Sequence, residues 1–242
     1  MAALTEIAMK IRERGVSGTV RAAVNRARAH FNDSYRFLRR TKGVIHVGAN
    51  EGQERDIYAR YNLNVLWIEP LPDVFRILQE NISRTPRQTA ENYLITDCDD
   101  KEYVLHIASN QGASSSIFEF GDHRDIWPEI HYVDQMKMKS ITLDSLMFKL
   151  RGDSALYDAL VLDTQGSELL VLKGARWLLQ QIKFVRAEAA DFEAYIGGAR
   201  VSDLDDYLGH FGFRPIRMDK FADSSKAGQF FDVLYRRKYG RD

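Results

Sequence analysis

The stretch Val44-Ile45-His46-Val47-Gly48-Ala49-Asn50-Glu51-Gly52 joins a short apolar run to a turn with two glycines. The apolar run predicts a buried strand, and a helical pattern over residues 54–61 follows the turn. Glycines let the backbone turn tightly and approach a ligand, and a helix N-terminus offers free N–H groups to an anion. The stretch therefore predicts a strand–turn–helix unit with a binding site at its turn.

Apolar strands alternate with helical stretches along most of the remaining sequence. This alternation predicts an α/β fold with a mainly parallel sheet that is covered by helices on both faces. Such sheets bind ligands at the carboxyl ends of their strands. The predicted strands are 44–47, 65–68, 93–96, 103–107, 159–162, 184–188 and a closing pair at 213–218 and 230–236. The strand 103–107 can be antiparallel to its neighbours. The predicted helices are 54–61, 73–82, 143–150, 168–180 and 201–211.

Composition narrows the class of protein. With 242 residues, 45% hydrophobic and 28% charged, the chain is long enough for one large domain and is not of a disordered or fibrous type. Its single cysteine, Cys98, allows no internal disulfide and no Cys-rich zinc site. No apolar run approaches the roughly 20 residues of a membrane span, and the N-terminus has no signal-peptide pattern. A cytoplasmic location is the expectation.

The charge is distributed unevenly although its formal sum is zero. Residues 1–42 hold ten Lys and Arg against three acids. We therefore expect a basic helical extension over residues 1–41, ahead of a single ligand-binding domain over residues 42–242. The extension can contact phosphate or the surface of an anionic membrane, or it can be a solvated helical face that pairs with the acidic domain. Its short helices would dock on the domain or on a second subunit, giving a homo-oligomer.

An acid follows the second predicted strand. Glu69 lies 21 positions after Gly48, where a carboxylate can accept hydrogen bonds from both hydroxyls of a ribose. The glycine turn and Glu69 together are equally typical of a dinucleotide-binding site. However, the G-x-G-x-x-G fingerprint is absent, since Asn50 and Gly52 stand in other positions, and this disfavours a pyrophosphate ligand. In the alternative interpretation, the glycines only shape the turn.

A second polar cluster, Asp163-Thr164-Gln165-Gly166-Ser167-Glu168, follows the predicted strand 159–162. The carboxylate of Asp163 can hold an amino group of a ligand, orient a substrate hydroxyl or bind a metal. Alternatively, Asp163 or Ser167 caps the helix that follows. We favour a functional role because an acid at the carboxyl end of a strand belongs to the binding crevice.

These segments together resemble the FkbM family of methyltransferases over about residues 42–236. The resemblance rests on 44–54, on Leu66-Trp67-Ile68-Glu69-Pro70, on 108–116 and on Ile141-Thr142-Leu143-Asp144. It continues through 162–169, Leu172-Lys173-Gly174-Ala175, Glu188 and Asp191-Phe192-Glu193-Ala194-Tyr195. It implies a Rossmann-like class I methyltransferase fold with a seven-stranded sheet, and methyl transfer from S-adenosyl-L-methionine to oxygen, often on sugars or secondary metabolites.

The resemblance also implies a cofactor site. Gly48, Asn50 and Gly52 would hold the methionine end, Glu69 the ribose, and Asp97 would lie near the adenine. The family often has Asp where this chain has His46, and both residues occur there. The implied cofactor-binding residues are His46, Gly48, Asn50, Gly52, Gln53, Glu69, Pro70, Asp97, Ser109, Asn110, Ser116 and Asp163.

Methyl transfer to a hydroxyl requires a group that removes its proton. The candidates, in order of preference, are Asp163, His131, His123 and Glu193. Glu188 and Asp191 can contact the acceptor at the next strand end. Acidic side chains can also bind a hard cation, but neither an EF-hand nor an H-E-x-x-H spacing is present, so we predict no metal.

Two of these candidates lie in the polar and aromatic stretch 121–132. Such a loop suits a lid over a carbohydrate, with Trp127 or Tyr132 stacked on a sugar face. The alternative is an ordinary surface segment with Trp127 packed inward.

The preferred function is thus an O-methyltransferase that acts on a small-molecule or glycan acceptor. A nucleic-acid methyltransferase is the first rival because of the basic extension, yet the chain has no Pro-Pro turn of the kind that amino-methylating DNA enzymes carry. An NAD-binding oxidoreductase is the second rival, and it lacks the dinucleotide fingerprint. The third is a non-enzymatic binding module, which the intact acids at the strand ends disfavour.

Overall fold

The computed structural model describes residues 34–151, 154–224 and 226–238. Its strands are β1 (Gly43–Val47), β2 (Asn64–Ile68), β3 (Gln88–Glu91), β4 (Leu94–Ile95), β5 (Glu102–Ala108), β6 (Tyr132–Ile141), β7 (Ala159–Leu162), β8 (Phe184–Ala190), β9 (Phe213–Ser224) and β10 (Gly228–Arg237). Its α-helices are α1 (Arg55–Arg60), α2 (Pro72–Ile82), α3 (Leu143–Lys149), α4 (Glu168–Lys173) and α5 (Val201–His210).

Seven strands form the main sheet, in the order β3-β2-β1-β7-β8-β10-β9. The strands from β3 to β8 are parallel, and β10 is antiparallel to both of its neighbours. Val47, the last residue of β1, pairs with Ile68 and Leu162 at the ends of β2 and β7. The turns that follow these three strands therefore lie at one edge of the sheet. The prediction of a mostly parallel seven-stranded α/β sheet is confirmed.

The core follows from the apolar strands. Ile45, Leu160 and Val185 in three adjacent strands are fully buried and pack with residues of α3, α4 and α5. A strand buried on both faces reads as a continuous apolar run, which explains why the sequence located the central strands well.

The third strand predicted at residues 93–96 is present but is shorter, Leu94–Ile95, and it is not the third strand of the main sheet. The third position in the main sheet belongs to β3, whose mixed sequence gives no strand pattern. Strand β3 is held by its parallel pairing with β2 and by Gln88, which accepts a hydrogen bond from Trp67 Nε1 at 3.0 Å. Leu94–Ile95 pairs instead with β6, in a second sheet of order β4-β6-β5. Strand β5 is antiparallel, as the sequence indicated. Strand β6 was missed because most of its side chains are partly or fully exposed.

The single helix predicted over residues 168–180 was wrong. Helix α4 ends at Lys173, and its C-cap residue Gly174 packs so closely on Thr96 that a Cβ there would stand 2.1 Å from the Thr96 carbonyl oxygen. A separate 3-10 turn, Leu178–Gln180, begins where the Asp144 carboxylate accepts the N–H groups of Trp177 and Leu178, at 2.8 and 3.0 Å. A tertiary contact and a side-chain cap thus divide the segment.

The chain separates into two compact units, residues 1–40 and 41–242. The described part of the first unit contains the 3-10 turn Arg36–Arg40. The helices predicted within residues 2–27, and the contacts proposed for the basic extension, lie outside the described residues. Within the described residues, no helix is both long and apolar enough to span a membrane.

Candidate active site

The turn after β1 is held by the carboxylate of Glu69. Its Oε2 accepts the N–H of Asn50 at 2.8 Å, and its Oε1 accepts the N–H of Leu71 at 3.0 Å. Asn50 has φ of 46°, a left-handed conformation that asparagine tolerates better than most residues. The end of β2 therefore fixes the turn that follows β1, and the two predicted elements are one structural unit.

Glu69 is buried, and burial raises its pKa to about 7. The two N–H donors lower this pKa in part, whereas the nearby charge of Asp163 raises it. A carboxylate has about four acceptor positions, of which the two backbone groups occupy two. The remaining positions fit a ribose diol, whose two donors would stabilise the ionised form.

The glycines of the turn also have packing roles. A Cβ on Gly48 would stand 1.8 Å from the carbonyl oxygen of Asp163, and one on Gly52 would stand 2.7 Å from Leu78 Cδ1. Both residues have positive φ, at 79° and 73°. Both are thus required for packing before any ligand binds, and their contact with a cofactor stays a prediction.

Asp163 lies directly after β7 and is half-buried. Its Oδ1 accepts a hydrogen bond from Gln165 Nε2 at 2.6 Å. Burial raises its pKa to about 6; the Gln165 donor and Arg186 lower it, and the charge of Asp232 raises it. Arg186 forms an ion pair with Asp232 at 2.8 Å. The side chain is therefore a stronger base than an exposed aspartate, yet it is largely ionised near neutral pH.

Gln165 connects four parts of the site and was not among the predicted site residues. Its amide Nε2 also donates to Glu188 Oε1 at 3.3 Å, and its Oε1 accepts the hydroxyl of Tyr195. Its main-chain oxygen accepts the hydroxyl of Ser116 at 2.7 Å. Its φ of 54° turns the backbone so that these bonds form together. The signals in the sequence were its position two residues after an acid at a strand end and its place in the segment 162–169 that carries the family resemblance.

The loop before α4 is held by Glu168 rather than by the predicted caps. The Glu168 carboxylate accepts the N–H groups of Thr164 at 2.8 Å and Gly166 at 3.0 Å. Ser167 makes no side-chain cap, and its hydroxyl donates to the main-chain oxygen of Thr164 at 3.0 Å. The side chain of Asp163 thus remains available to the site, because helix capping does not use it.

The predicted stretch 109–116 reaches this network through one residue. Ser116 is buried and donates to Gln165 as described. Asn110 holds its own loop, because its amide exchanges two hydrogen bonds with Ser114, at 3.0 and 3.1 Å. Ser109 pairs with the backbone of His131, which donates to the Ser109 hydroxyl at 3.3 Å.

His46 and Gln53 flank the turn in different environments. His46 is buried between Tyr58, whose hydroxyl lies 3.2 Å from Nδ1, and the ring of Trp67, stacked at 5.0 Å. Burial and the charge of Arg186 lower its pKa to about 3, so it is neutral. Gln53 is exposed and donates to Asn50 Oδ1 at 2.8 Å.

Two further predicted cofactor residues follow β2 and β4. The main-chain oxygen of Pro70 accepts Asn92 Nδ2 at 2.8 Å. Asp97 instead lines a groove of about 730 Å³ whose other lining residues include Lys173 and His210, at the last turns of α4 and α5. No described contact joins Asp97 to Glu69 or Asp163, and its place near the adenine stays a prediction.

His123 is only 2% exposed and belongs to an aromatic cluster. Its ring stacks on Phe120 at 4.5 Å and lies 4.8 Å from Trp127 and 5.4 Å from Tyr195. Burial lowers its pKa to about 4, and Nδ1 has no hydrogen-bond partner within the described part of the chain. Trp127 also contacts Phe230 at 5.2 Å, which agrees with the inward-packed interpretation of this loop.

The last two catalytic candidates are more exposed and bind their own loops. His131 Nδ1 lies 3.1 Å from the carbonyl oxygen of Glu129. The Glu193 carboxylate accepts the N–H of Gly197 at 3.0 Å and lies 3.9 Å from Arg200. Neither side chain contacts Asp163 in the described structure. Over residues 34–151, 154–224 and 226–238, no three His, Cys, Asp or Glu side chains are grouped so as to hold a metal ion.

A comparison with protein families matches residues 46–215 to the methyltransferase FkbM domain. The chain belongs to the FkbM family of methyltransferases. It is an S-adenosylmethionine-dependent methyltransferase in family and fold, and the sheet described above is the class I arrangement that the resemblance implied.

Solved structures give more distant likenesses. Magnesium protoporphyrin IX methyltransferase (ChlM) from Synechocystis PCC 6803, with bound S-adenosylmethionine, is 11% identical at a TM-score of 0.47, covering 97% of this chain and 91% of that one. The N-terminal domain of EvdMO1, with bound S-adenosylhomocysteine, is 11% identical at a TM-score of 0.46, and the match covers 88% of this chain and 80% of that domain. A putative tRNA (m1A22) methyltransferase from Streptococcus pneumoniae is 7% identical at a TM-score of 0.44, and the match covers 83% of this chain and 65% of that one. Among curated proteins no match was found.

Proposed function

We propose that the chain transfers a methyl group to a hydroxyl of a sugar, a glycan or another small metabolite. The observation that carries this proposal is Asp163, a half-buried carboxylate at the end of β7 whose pKa is raised to about 6. A base of this kind suits proton removal from an alcohol during attack. When bound, S-adenosylmethionine supplies an activated methyl group, so the protein mainly has to align the acceptor and take up its proton.

Each part of the site has a role in this proposal. Glu69 accepts the ribose hydroxyls while its backbone partners Asn50 and Leu71 keep the carboxylate in place. Asp163 takes up the proton that the acceptor hydroxyl loses. Glu188 lies beside Gln165 at the neighbouring strand and offers a second carboxyl group to orient a polyhydroxylated acceptor.

Binding experiments test the cofactor part of this proposal. Calorimetric titration of the purified protein with S-adenosylhomocysteine and with NAD should give binding of the first ligand alone. Binding of NAD without S-adenosylhomocysteine would contradict the central assignment.

Transfer experiments test the acceptor. A donor labelled with tritium in its methyl group is incubated with the protein and a panel of monosaccharides, nucleotide sugars, tRNA or duplex DNA. We expect label on a hydroxylated small molecule or glycan, and label on nucleic acid alone would refute the proposed acceptor class. Asp163→Asn should lower turnover by about a hundredfold or more. Asp73→Asn is the control, since Asp73 is an exposed aspartate on α2 that has no assigned role in the site.

A further inference from the structure

Tyr195 occupies a site formed by two glycines. A Cβ on Gly166 would stand 3.0 Å from Tyr195 Cβ, and one on Gly198 would also stand 3.0 Å from that atom. The N–H of Ala199 donates to the carbonyl of Gly166 at 2.8 Å, which ties the two glycine segments together. Tyr195 is 3% exposed. Its ring is therefore held in one place, close against the loop that carries Gln165.

The hydroxyl of Tyr195 sets the orientation of the Gln165 amide. Because the hydroxyl donates to Oε1, the NH₂ group faces the opposite way, towards the two carboxyl groups. The NH₂ group has two N–H donors, and its nitrogen lies 2.6 Å from Asp163 Oδ1 and 3.3 Å from Glu188 Oε1. In the reversed orientation the amide oxygen would face the ionised carboxylate of Asp163 at hydrogen-bond distance, which is repulsive.

The two carboxyl groups of Asp163 and Glu188 have many charged neighbours. Burial and the charge of Asp232 raise the pKa values of Asp163 and Glu188, the charge of Asp163 raises that of Glu188 further, and the Gln165 donor lowers both. An amide that donates to both groups thus opposes the effect of burial. The titratable and charged groups around the pair are Glu54 before α1, Glu69 after β2, Glu168 on α4, Arg186 on β8, Asp232 on β10 and Tyr195 itself.

We propose that Tyr195 and Gln165 are positioning residues, which hold the Asp163 and Glu188 side chains in place for acceptor binding and keep Asp163 ionised for proton removal. Their role rests on the proposed function, in which Asp163 is the base. Neither residue needs to touch the cofactor or the acceptor. Tyr195 acts through Gln165, and Gln165 acts through the two carboxylates.

The experiment removes the hydroxyl of Tyr195 and leaves its ring. Tyr195→Phe retains the packing against Gly166 and Gly198 but frees the amide of Gln165 to turn. The protein is labelled with ¹³C in its Asp and Glu carboxyl groups and titrated by NMR, and Asp163→Asn identifies the Asp163 signal by its loss. We expect the titration midpoint of Asp163 to rise by about one pH unit in Tyr195→Phe.

Tyr235→Phe is the matched control. Tyr235 is also buried, and its hydroxyl donates to Asp205 at 2.8 Å, away from the carboxyl pair. This control should leave the Asp163 midpoint unchanged while losing a comparable buried hydrogen bond. A purely structural role for Tyr195 predicts that the two variants titrate like the unmodified protein.

A second variant keeps the test decisive if Tyr195→Phe does not fold. Gln165→Asn tolerates the left-handed backbone, but its shorter side chain cannot reach both carboxyl groups. The same rise in the Asp163 midpoint is expected. An unchanged midpoint in whichever of the two variants folds would overturn the proposal.

The failure of this inference can be told apart from the failure of the proposed function. Binding of S-adenosylhomocysteine to both variants should stay within about twofold of the unmodified protein, since neither side chain is assigned to the cofactor. If S-adenosylhomocysteine does not bind the unmodified protein, the cofactor assignment is refuted, and the titration result for Asp163 still stands. Once an acceptor is found, the acid limb of kcat/KM should move to higher pH in Tyr195→Phe.

Discussion

Gly48 lies against the main chain of Asp163, so closely that a Cβ at Gly48 would stand 1.8 Å from the Asp163 carbonyl oxygen. The N–H of Asp163 also donates to Val47 at 3.0 Å. The turn that begins the predicted cofactor site and the residue proposed as its base are therefore joined by one packed contact. A change at this contact is expected to affect both.

The first prediction concerns this contact. Gly48→Ala should lower the free energy of unfolding by about 3 kcal/mol or more, because the new methyl group overlaps backbone and the φ of 79° strains any L side chain. Urea unfolding followed by circular dichroism measures this. The control is Gly209→Ala in α5, where no atom lies within 4 Å of the added Cβ. That variant should gain about 0.5 to 1 kcal/mol from helix propensity. Equal stability of the two variants would contradict the packing argument.

The second prediction concerns the carboxylate of Glu69. Glu69→Gln should weaken the binding of S-adenosylhomocysteine about 10- to 100-fold, because hydrogen bonds to a charged acceptor contribute about 1.5 to 3 kcal/mol. Calorimetry measures the affinity. Glu80→Gln, on the exposed face of α2, is the matched control and should bind normally. An unchanged affinity in Glu69→Gln would remove this residue from the cofactor site.

The third prediction is that cofactor-product affinity depends on pH through Glu69. With a pKa of about 7, roughly a tenth of this group is ionised at pH 6 and most of it at pH 8. Ribose hydroxyls donate to the ionised form, so affinity for S-adenosylhomocysteine should be about tenfold weaker at pH 6 than at pH 8. Glu69→Gln should largely abolish this dependence. A dependence of the same size in both proteins would assign it to another group.

The fourth prediction concerns the buried His123. Its pKa is about 4 in the folded protein, against about 6.5 for an unfolded histidine. Below pH 6.5 the unfolded chain takes up a proton that the folded protein does not, so this group reduces stability as pH falls towards 4. Between pH 7 and pH 5, the free energy of unfolding should therefore fall by about 1 to 2 kcal/mol less in His123→Phe than in the unmodified protein.

Urea unfolding at the two pH values measures the effect at His123. The control His210→Phe replaces an exposed histidine and should leave the pH dependence as it is. If His123→Phe and the unmodified protein respond equally to acid, the ring of His123 is accessible to protons in the folded state.

Much of the fold was predictable because its signals are local. The central strands are apolar throughout, since both of their faces are buried, and the turns after them carry glycine and acidic residues in recognisable order. Strand β3 was not predictable, because its four residues have no pattern of their own and owe their conformation to pairing with β2. The end of α4 was missed for the same kind of reason, since the close packing of its C-cap residue Gly174 on Thr96 exists only in the folded chain.

The candidate site likewise contains residues that were predictable from the sequence and residues that were not. Glu69 and Asp163 were identifiable because an acid at a strand end has a chemical meaning wherever it occurs. The contact between Gln165 and Tyr195 was not predictable, although both residues lie in segments that carry the family resemblance, because the two positions are 30 residues apart and only the folded chain brings their side chains together. Glu168 likewise was predicted to lie within a helix, and only the structure shows that its carboxylate fixes the loop before it.

The sequence by itself determined the α/β class, the order of the central strands along the chain, the family and the two acids at the strand ends. These depend on residue type and near-neighbour spacing, which the sequence records directly. The tertiary structure decided what each side chain touches. It showed Gly48 packed on Asp163, His123 inside an aromatic cluster and Gln165 between two carboxyl groups. These relationships arise from contacts between residues that are distant in the chain, and no local pattern encodes them.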